Sequence, residues 1–319
     1  MREKYLPAFG AALLALATPT PAGAAETPAA SERSMPARLA APSLLLDAAD
    51  RPGLAVAVGE RGHVLVSRDG GASWTQAEAP TRALLTGVFL HDGRLGWAVG
   101  HDGTILRTRD GGVTWQRVRY APEEERPLLG VWFRDESRGF AIGAYGLLLA
   151  TSDGGESWES RPVVAGDDTH LNAIAEAGGA LFLAGEAGSL YRSDDGGESW
   201  KALPSPYEGS FFGLLPLSDG SLLAFGLRGH LFRSEDRGKT WTGVASGTEA
   251  TLMTGRELGG GRVVVAGPAG GPLFREGGGR TLPAPEQGDR KASLAILPGA
   301  AGGIVLLGEG GVRPIDKPF

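Results

Sequence analysis

Five times along this chain the pattern Ser/Thr-x-Asp-x-Gly-x-Ser/Thr-Trp returns in phase. Its Asp and Trp are Asp69 and Trp74, Asp110 and Trp115, Asp153 and Trp158, Asp195 and Trp200, Asp236 and Trp241, and the tryptophans stand 41, 43, 42 and 41 residues apart. A period of this length restricts the fold more than any other feature. One unit cannot bury its own apolar face and must stack on its neighbours. A sixth copy has decayed: Leu282 stands where the next Trp is due, after Thr281 and Gly279, and the Asp is lost. A seventh is partial, with apolar runs at 294–297, 304–307 and 312–315.

The grammar inside each unit is constant. In the second, an apolar run at 85–90 is broken by Asp92-Gly93. A second run at 96–99 turns at 100–103, a third covers 104–108, and a fourth, 114–118, follows the Asp-rich turn. Short runs of β-formers between Gly and Asp turns read as strands. Four antiparallel strands per 42 or so residues make a propeller blade. Residues 35–319 hold close to seven such units, so the expected fold is an all-β, seven-bladed β-propeller of four-stranded antiparallel blades. The last unit lacks a fourth strand. Because an unpaired edge invites aggregation, the strand-length segment 35–40 is expected to pair into the last blade as its outer strand and close the ring.

The motif belongs to the turn between the third and fourth strands. Gly supplies positive φ. The Asp carboxylate accepts turn N–H groups and the Ser/Thr hydroxyl, and the Trp covers apolar surface between blades. A calcium loop would need further alternating Asp/Asn ligands and a closing Glu, so the motif reads as structural and no metal site is expected. Arg107, Arg192 and Arg233 each precede the Ser/Thr of the motif, with Arg275 in the matching place of the decayed copy. Their position suggests inter-blade arginines with buried stems and paired heads.

The first residues bear on compartment. Arg2 and Lys4 precede a short apolar run over 6–17, then Pro19 and Pro21, with Ala22 and Ala24 as the small residues before a cleavage point. This is the pattern of a secretory signal peptide, which places the protein in the periplasm or otherwise outside the cytoplasm. Residues 1–24 are therefore read as signal, 25–34 as an Ala/Pro/Ser/Glu-rich disordered tether, and 35–319 as one propeller domain. The chain has no cysteine, which excludes disulfides, thiolate metal sites and a cysteine nucleophile. A formal net charge of −6 argues against nucleic acid. The mature chain has no apolar stretch long enough to span a membrane. A monomer is expected.

In a propeller the loops between blades, and those joining second to third strands, share one face around the channel. The binding candidates on it are Arg61, Arg82, His101, Tyr120, Arg126, Tyr145, His170, Tyr207, Arg228 and His230, with His63, Asp102, Asp167, Asp168, Glu208 and Arg290 beside them. His63 and His230 close matching Gly-x-Arg-Gly-His turns, so descent from one repeat explains the pairing of Arg61 with Arg228. No catalytic constellation and no cofactor-binding motif is found.

The motif is similar to the Asp box, or bacterial neuraminidase repeat. The longer unit is more specific. Leu85-Thr86-Gly87-Val88-Phe89, Gly96-Trp97-Ala98-Val99-Gly100 and Gly103-Thr104-Ile105-Leu106-Arg107-Thr108, with Leu129-Gly130-Val131-Trp132-Phe133 and Gly139-Phe140-Ala141-Ile142-Gly143 in the next copy, resemble the photosystem II stability/assembly factor family. The resemblance spans most of the chain and weakens after Trp241. It implies a seven-bladed propeller that binds newly made subunits of a membrane complex through an arginine-rich surface. Here the arginines are scattered, and Glu123, Glu124 and Glu125 interrupt the stretch from Arg119 to Arg126. A second reading, a sialidase-like glycosidase or glycan-binding propeller, would need three arginines around a carboxylate, a Tyr–Glu pair and a further acid. Tyr207 with Glu208, and Asp167 with Asp168, are its raw material.

Overall fold

The computed structural model describes residues 32–268, 273–275, 281–283 and 291–316. The signal segment, most of the tether, Gly279 and Arg290 lie outside them. The described chain forms seven antiparallel sheets, six of four strands and a last one of three, and in each the strands pair in chain order. Blade 1 runs from Leu45–Arg51 through Leu54–Gly59 and Val64–Ser67 to Thr75–Ala77, and blade 2 from Leu85–Leu90 to Gln116–Arg119. Blades 3, 4 and 5 begin with Leu128–Phe133, Leu171–Ala177 and Phe211–Pro216. Blade 6 includes Thr254–Leu258 and Thr281–Pro283, and blade 7 consists of Ser293–Pro298, Ile304–Gly308 and Gly311–Ile315. The first strands of successive blades pack side by side, and that of blade 1 also packs on that of blade 7.

The core lies between blades, which is why both faces of the second and third strands are apolar. All of Gly96–Gly100 and Ile105–Thr108 is buried. Trp97 of blade 2, fully buried, stacks on Phe133 of blade 3 with ring planes 7° apart. Burying side chains of this size contributes about 1.5–3 kcal/mol each. Each motif Trp packs against the preceding blade. Trp115 lies with Leu54 and Val56 of blade 1, and Trp74 with Leu297 and Val305 of blade 7.

The chain's approach to blade 1 departs from the sequence expectation. Residues 35–40 form no strand. Pro36 has no N–H to give a ladder. The side chain of Gln76 replaces the ladder, accepting the N–H of Ala37 at 2.8 Å and donating to Met35 O at 2.9 Å. Ser34 is buried and exchanges two bonds with the backbone of Ala79, and Arg33 pairs with Glu78 at 2.5 Å. The segment is thus fastened along the outer strand of blade 1. Among the described residues it meets blade 7 through a hydrogen bond from Val312 N–H to Ala41 O at 3.1 Å, with Ala40 buried among Leu297 and Leu307.

A bulge recurs at the start of the first strands. Leu45 opposes Gly59 and Asp47 opposes Val58, so Leu46 has no partner. The same skip falls at Thr86, Leu129, Asn172, Phe212 and Leu294. In blade 6, Met253 holds the place one residue before its strand. The residue opposite each bulge is glycine for a steric reason. A Cβ on Gly100 would lie 2.1 Å from Leu84 O, and on glycines 59, 143, 185, 226, 267 and 308 between 1.9 and 2.3 Å from the equivalent carbonyls. Bulges re-aim side chains. Here they line a central channel.

Candidate functional site

The motif turns are closed by hydrogen bonds of their own side chains. In blade 2 the Thr108 hydroxyl donates to Asp110 Oδ1 at 2.8 Å and accepts the N–H of Gly112 at 2.9 Å. Thr114 donates its N–H to Oδ1 at 2.9 Å and its hydroxyl to Oδ2 at 2.6 Å, and Trp115 Nε1–H closes on Gly112 O at 3.0 Å. The same carboxylate bonds recur at Asp69, Asp153, Asp195 and Asp236. Both oxygens of the Asp110 carboxylate accept from donors of its own turn. Among the described residues no group of three or more His, Asp or Glu side chains is placed to hold a metal ion.

On the opposite face, blades 1 to 5 each carry a tight turn of one kind between second and third strands. In the first, His63 N–H bonds Glu60 O at 2.9 Å while Arg61 and Gly62 take φ of 55° and 70°. Two successive positive φ values define a type I′ turn, which suits the twist of a hairpin. The second central residue must be small, since a Cβ on Gly62 would lie 2.1 Å from Thr81 O. The first is Arg61, Asp102, Tyr145, Ala187 or Arg228, with φ between 51° and 56°. Every one of these is exposed. A non-glycine residue there costs about 1–2 kcal/mol. The turn fixes their conformation and leaves their chemistry free.

The candidate residues fall into two groups and several isolated positions. Arg126 donates from Nη2 to Tyr145 O at 2.7 Å, the Tyr145 ring meets His170 edge-on at 5.0 Å, and His170 Nδ1 lies 3.8 Å from Glu186. These form one patch at the junction of blades 3 and 4. Tyr207 packs on His230 at 4.1 Å, with Phe232 and Phe211 behind it. His63, the repeat counterpart of His230, is instead buried, held to Ser43 Oγ at 2.9 Å, and burial pushes its pKa down. Arg82 is exposed and ties its Nε to Arg33 O. Tyr120 carries the Arg117 guanidinium over its ring at 4.5 Å, while His101, Asp102, Asp168 and Glu208 are exposed. Asp167 accepts the Tyr191 hydroxyl and both donors of Thr169, which is loop structure. Glu208, Asp167 and Asp168 make no ion pair with arginine among the described residues.

The residues that line the channel were not picked out in the sequence. A cavity of about 500 Å³ is lined by the first strands of all seven blades. Leu46, Leu129, Ile174, Phe212 and Leu294 give it an apolar wall, and Asp47 is the one charged residue on the described lining. Three polar residues of the wall cap the open edge of the next blade: Asp47 Oδ2 accepts the N–H of Val88 at 2.8 Å, Thr86 donates to Leu128 O at 2.6 Å, and Asn172 to Phe211 O at 2.8 Å. Burial pushes Asp47 up to about 7, although its bonds from Val88 and Ala48 pull the other way. A signal was available. Asp47 occupies the strand position held elsewhere by Gly87, Gly130, Ala173, Gly213, Thr254 and Ala295.

Together these features define a propeller whose motif turns are closed on themselves and whose opposite face and channel mouth are open to partners. The model of the family described as Photosynthesis system II assembly factor YCF48 matches residues 37–124 and 122–270, and the chain belongs to that family. The match ends where the motif decays. Among solved structures, "YCF48 bound to D1 peptide" is 18% identical, with a TM-score of 0.69 over 87% of this chain and 95% of that one. YCF48 from Cyanidioschyzon merolae is 17% identical, with a TM-score of 0.67 over 88% and 97%. A streptogramin B lyase, 10% identical, reaches 0.72 over 89% and 97%. At such identities the likeness speaks to fold. A comparison with curated proteins finds no match.

Proposed function

We propose that this chain is an exported, monomeric, protein-binding assembly factor that docks a subunit of a membrane complex on the face of the type I′ turns and inter-blade loops. The placement of exposed apolar residues carries this reading. Eight large apolar side chains are exposed among the described residues, and five of them, Tyr120, Tyr145, Val164, Leu227 and Met253, belong to that face. Apolar residues gathered on one face and interspersed with arginine are what a protein interface needs. Arg61 and Arg228 supply that charge from their turns. Family membership, and a similar structure that is of YCF48 bound to a D1 peptide, support a protein as the ligand. The amino-terminal signal pattern supports export. Among the described residues no helix is long and apolar enough to cross a membrane.

The test is affinity purification of the tagged chain from solubilised membranes, beside a variant carrying Tyr145→Glu and Leu227→Glu. Unassembled subunits of one membrane complex should co-purify with the natural chain. The variant, with an unchanged melting temperature, should lose them. Recovery of nothing specific, or equal recovery by both chains, would sink the reading.

A further inference from the structure

We propose that the channel mouth binds an alkylammonium group, the side chain of a lysine on the docked client, with its methylene stem against Leu46, Leu129 and Phe212 and its ammonium on the Asp47 carboxylate. This rests on the protein-binding reading above.

Three observations meet at this site. First, the fold does not demand a charge at residue 47. Six of the seven blades place Gly, Ala or Thr there and form the same strand. The Val88 N–H needs only an acceptor, and the neutral carbonyl of an amide would serve as well as a carboxylate. Second, Asp47 has no cation of its own among the described residues. Both its oxygens accept N–H groups, from Ala48 and Val88 at 2.8 Å, and those are its bonds. The other charges on the strands packed about it are engaged. Asp50 pairs with Arg256 at 2.7 Å, and Arg51 lies over Phe89 and bonds His91 O. A desolvated carboxylate without a counter-charge is held near neutrality, and a partner's cation would relieve that cost. Third, the walls select the kind of cation. The cavity of about 500 Å³ is otherwise uncharged and largely aliphatic or aromatic. A compact ammonium on a four-carbon stem suits it better than a planar guanidinium, which needs a bidentate acceptor. Here each carboxylate oxygen already holds one N–H.

The probe is n-butylammonium, the lysine side chain without its backbone, titrated into the full chain at pH 8. The Asp47 carboxyl carbon resonance is followed by NMR. Saturable binding should shift this resonance and move its titration midpoint downward by a unit or more. n-Butanol at equal concentration should leave it unmoved. Asp47→Asn, checked for an unchanged fold by its melting curve, should weaken butylammonium binding at least tenfold. An Asp47 resonance indifferent to butylammonium, or equal affinity for the Asn variant, would overturn the inference. Should titration fail while client capture succeeds, the lysine site falls alone. Should titration succeed while capture fails, the protein-binding reading falls, and the lysine assignment with it.

Discussion

Arg107 donates from Nη1 to the carbonyl oxygen of Gly154, 3.1 Å away in the motif turn of the next blade. Trp97 Nε1 reaches the same oxygen at 3.1 Å. Arg192 makes the equivalent bond to Arg237 O at 3.0 Å, and Arg68 reaches Gly111 O at 3.2 Å. One carbonyl of each receiving turn is thus an inter-blade acceptor, while the Trp of that turn packs back on the preceding blade. Arg233 precedes the unit whose Asp is lost, and it pairs with Asp219 and Glu235 of its own blade.

Replacing Arg107 tests this coupling. Its side chain is 3% exposed, whereas its partner Glu156 is 55% exposed. The ion pair itself is therefore screened, and the stem and the bond to Gly154 carry the effect. Arg107→Ala should destabilise by about 2–4 kcal/mol. Arg233 is 32% exposed, and its partners among the described residues are Asp219 and Glu235 of its own blade, so Arg233→Ala should cost under about 1 kcal/mol. Urea unfolding midpoints decide. Equal costs would refute the inter-blade role.

Asp110→Ala removes the acceptor of three donors in one turn, including the buried Thr108 hydroxyl. The expected loss is about 1–3 kcal/mol. Thermal unfolding reads it, and a melting temperature equal to that of the natural chain would show that the carboxylate is dispensable.

The motif carboxylates should also set the acid limit. Bonds from Ser73 and Ser67 hold Asp69 down at about 2, those from Thr240 and Ser234 do the same for Asp236, and those from Ser199 and Ser193 depress Asp195. A carboxylate whose folded pKa lies below its unfolded value stabilises the fold above the unfolded value, and this is lost as pH falls through the folded one. Stability should therefore stay intact down to about pH 4 and drop between about pH 4 and 2. Denaturation midpoints across that range should show the drop, and Asp69→Asn should make it shallower. A drop of unchanged depth in the Asn variant would remove Asp69 from the account.

The glycine opposite each bulge should be as intolerant in the decayed blade as in intact ones. Gly100→Ala and Gly267→Ala each drive a Cβ to within 2.1 Å of a backbone carbonyl, at Leu84 and Thr251. Each should cost about 3 kcal/mol. Gly93→Ala, with nothing within 4 Å, is the control and should change stability by under about 0.5 kcal/mol. A benign Gly267→Ala, read by chemical unfolding, would mean that blade 6 does not share the bulge geometry.

How far the sequence speaks depends on which residue a piece of geometry constrains. The motif turn needs a carboxylate, a hydroxyl and a glycine, so it was legible five times over. Blade number came from dividing the length by the period, yet it is written in the chain. Glycines 59, 100, 143, 185, 226, 267 and 308 recur at spacings of 41, 43, 42, 41, 41 and 41. They persist through both units that lost the Asp, because a backbone carbonyl sits where a Cβ would be. The channel wall was illegible for the converse reason. At a bulge the constraint falls on the glycine opposite, so the bulged residues vary, from Leu46, Leu129, Phe212 and Leu294 to the polar Thr86 and Asn172. The expected closing strand at 35–40 failed on Pro36 and on the pull of Gln76. His63 and His230, identical in repeat position, differ because Ser43 covers one of them.

Asp47 gives the fold an alkaline cost opposite in sign to that of the motif turns. Burial raises its carboxyl to about 7 from an ordinary value of 3.8. A group whose folded pKa is raised contributes its stability fully below the unfolded value, and this is lost as pH rises through the folded one. Between pH 4 and 8 the natural chain should therefore lose stability, most steeply near pH 5–6 where only the folded carboxyl still holds its proton, with the slope fading through pH 7 and little change beyond pH 8. Asp47→Asn should flatten that slope, since the amide does not ionise, even though it gives up one acceptor for Ala48 or Val88 and is less stable near pH 4. Melting temperatures of both chains at pH 5 and pH 8 decide the matter. The natural chain should fall between the two and the variant should not. Parallel falls would assign the loss to other groups and leave Asp47 ionised throughout, while a fall reversed by butylammonium at pH 8 would tie it to the missing counter-charge.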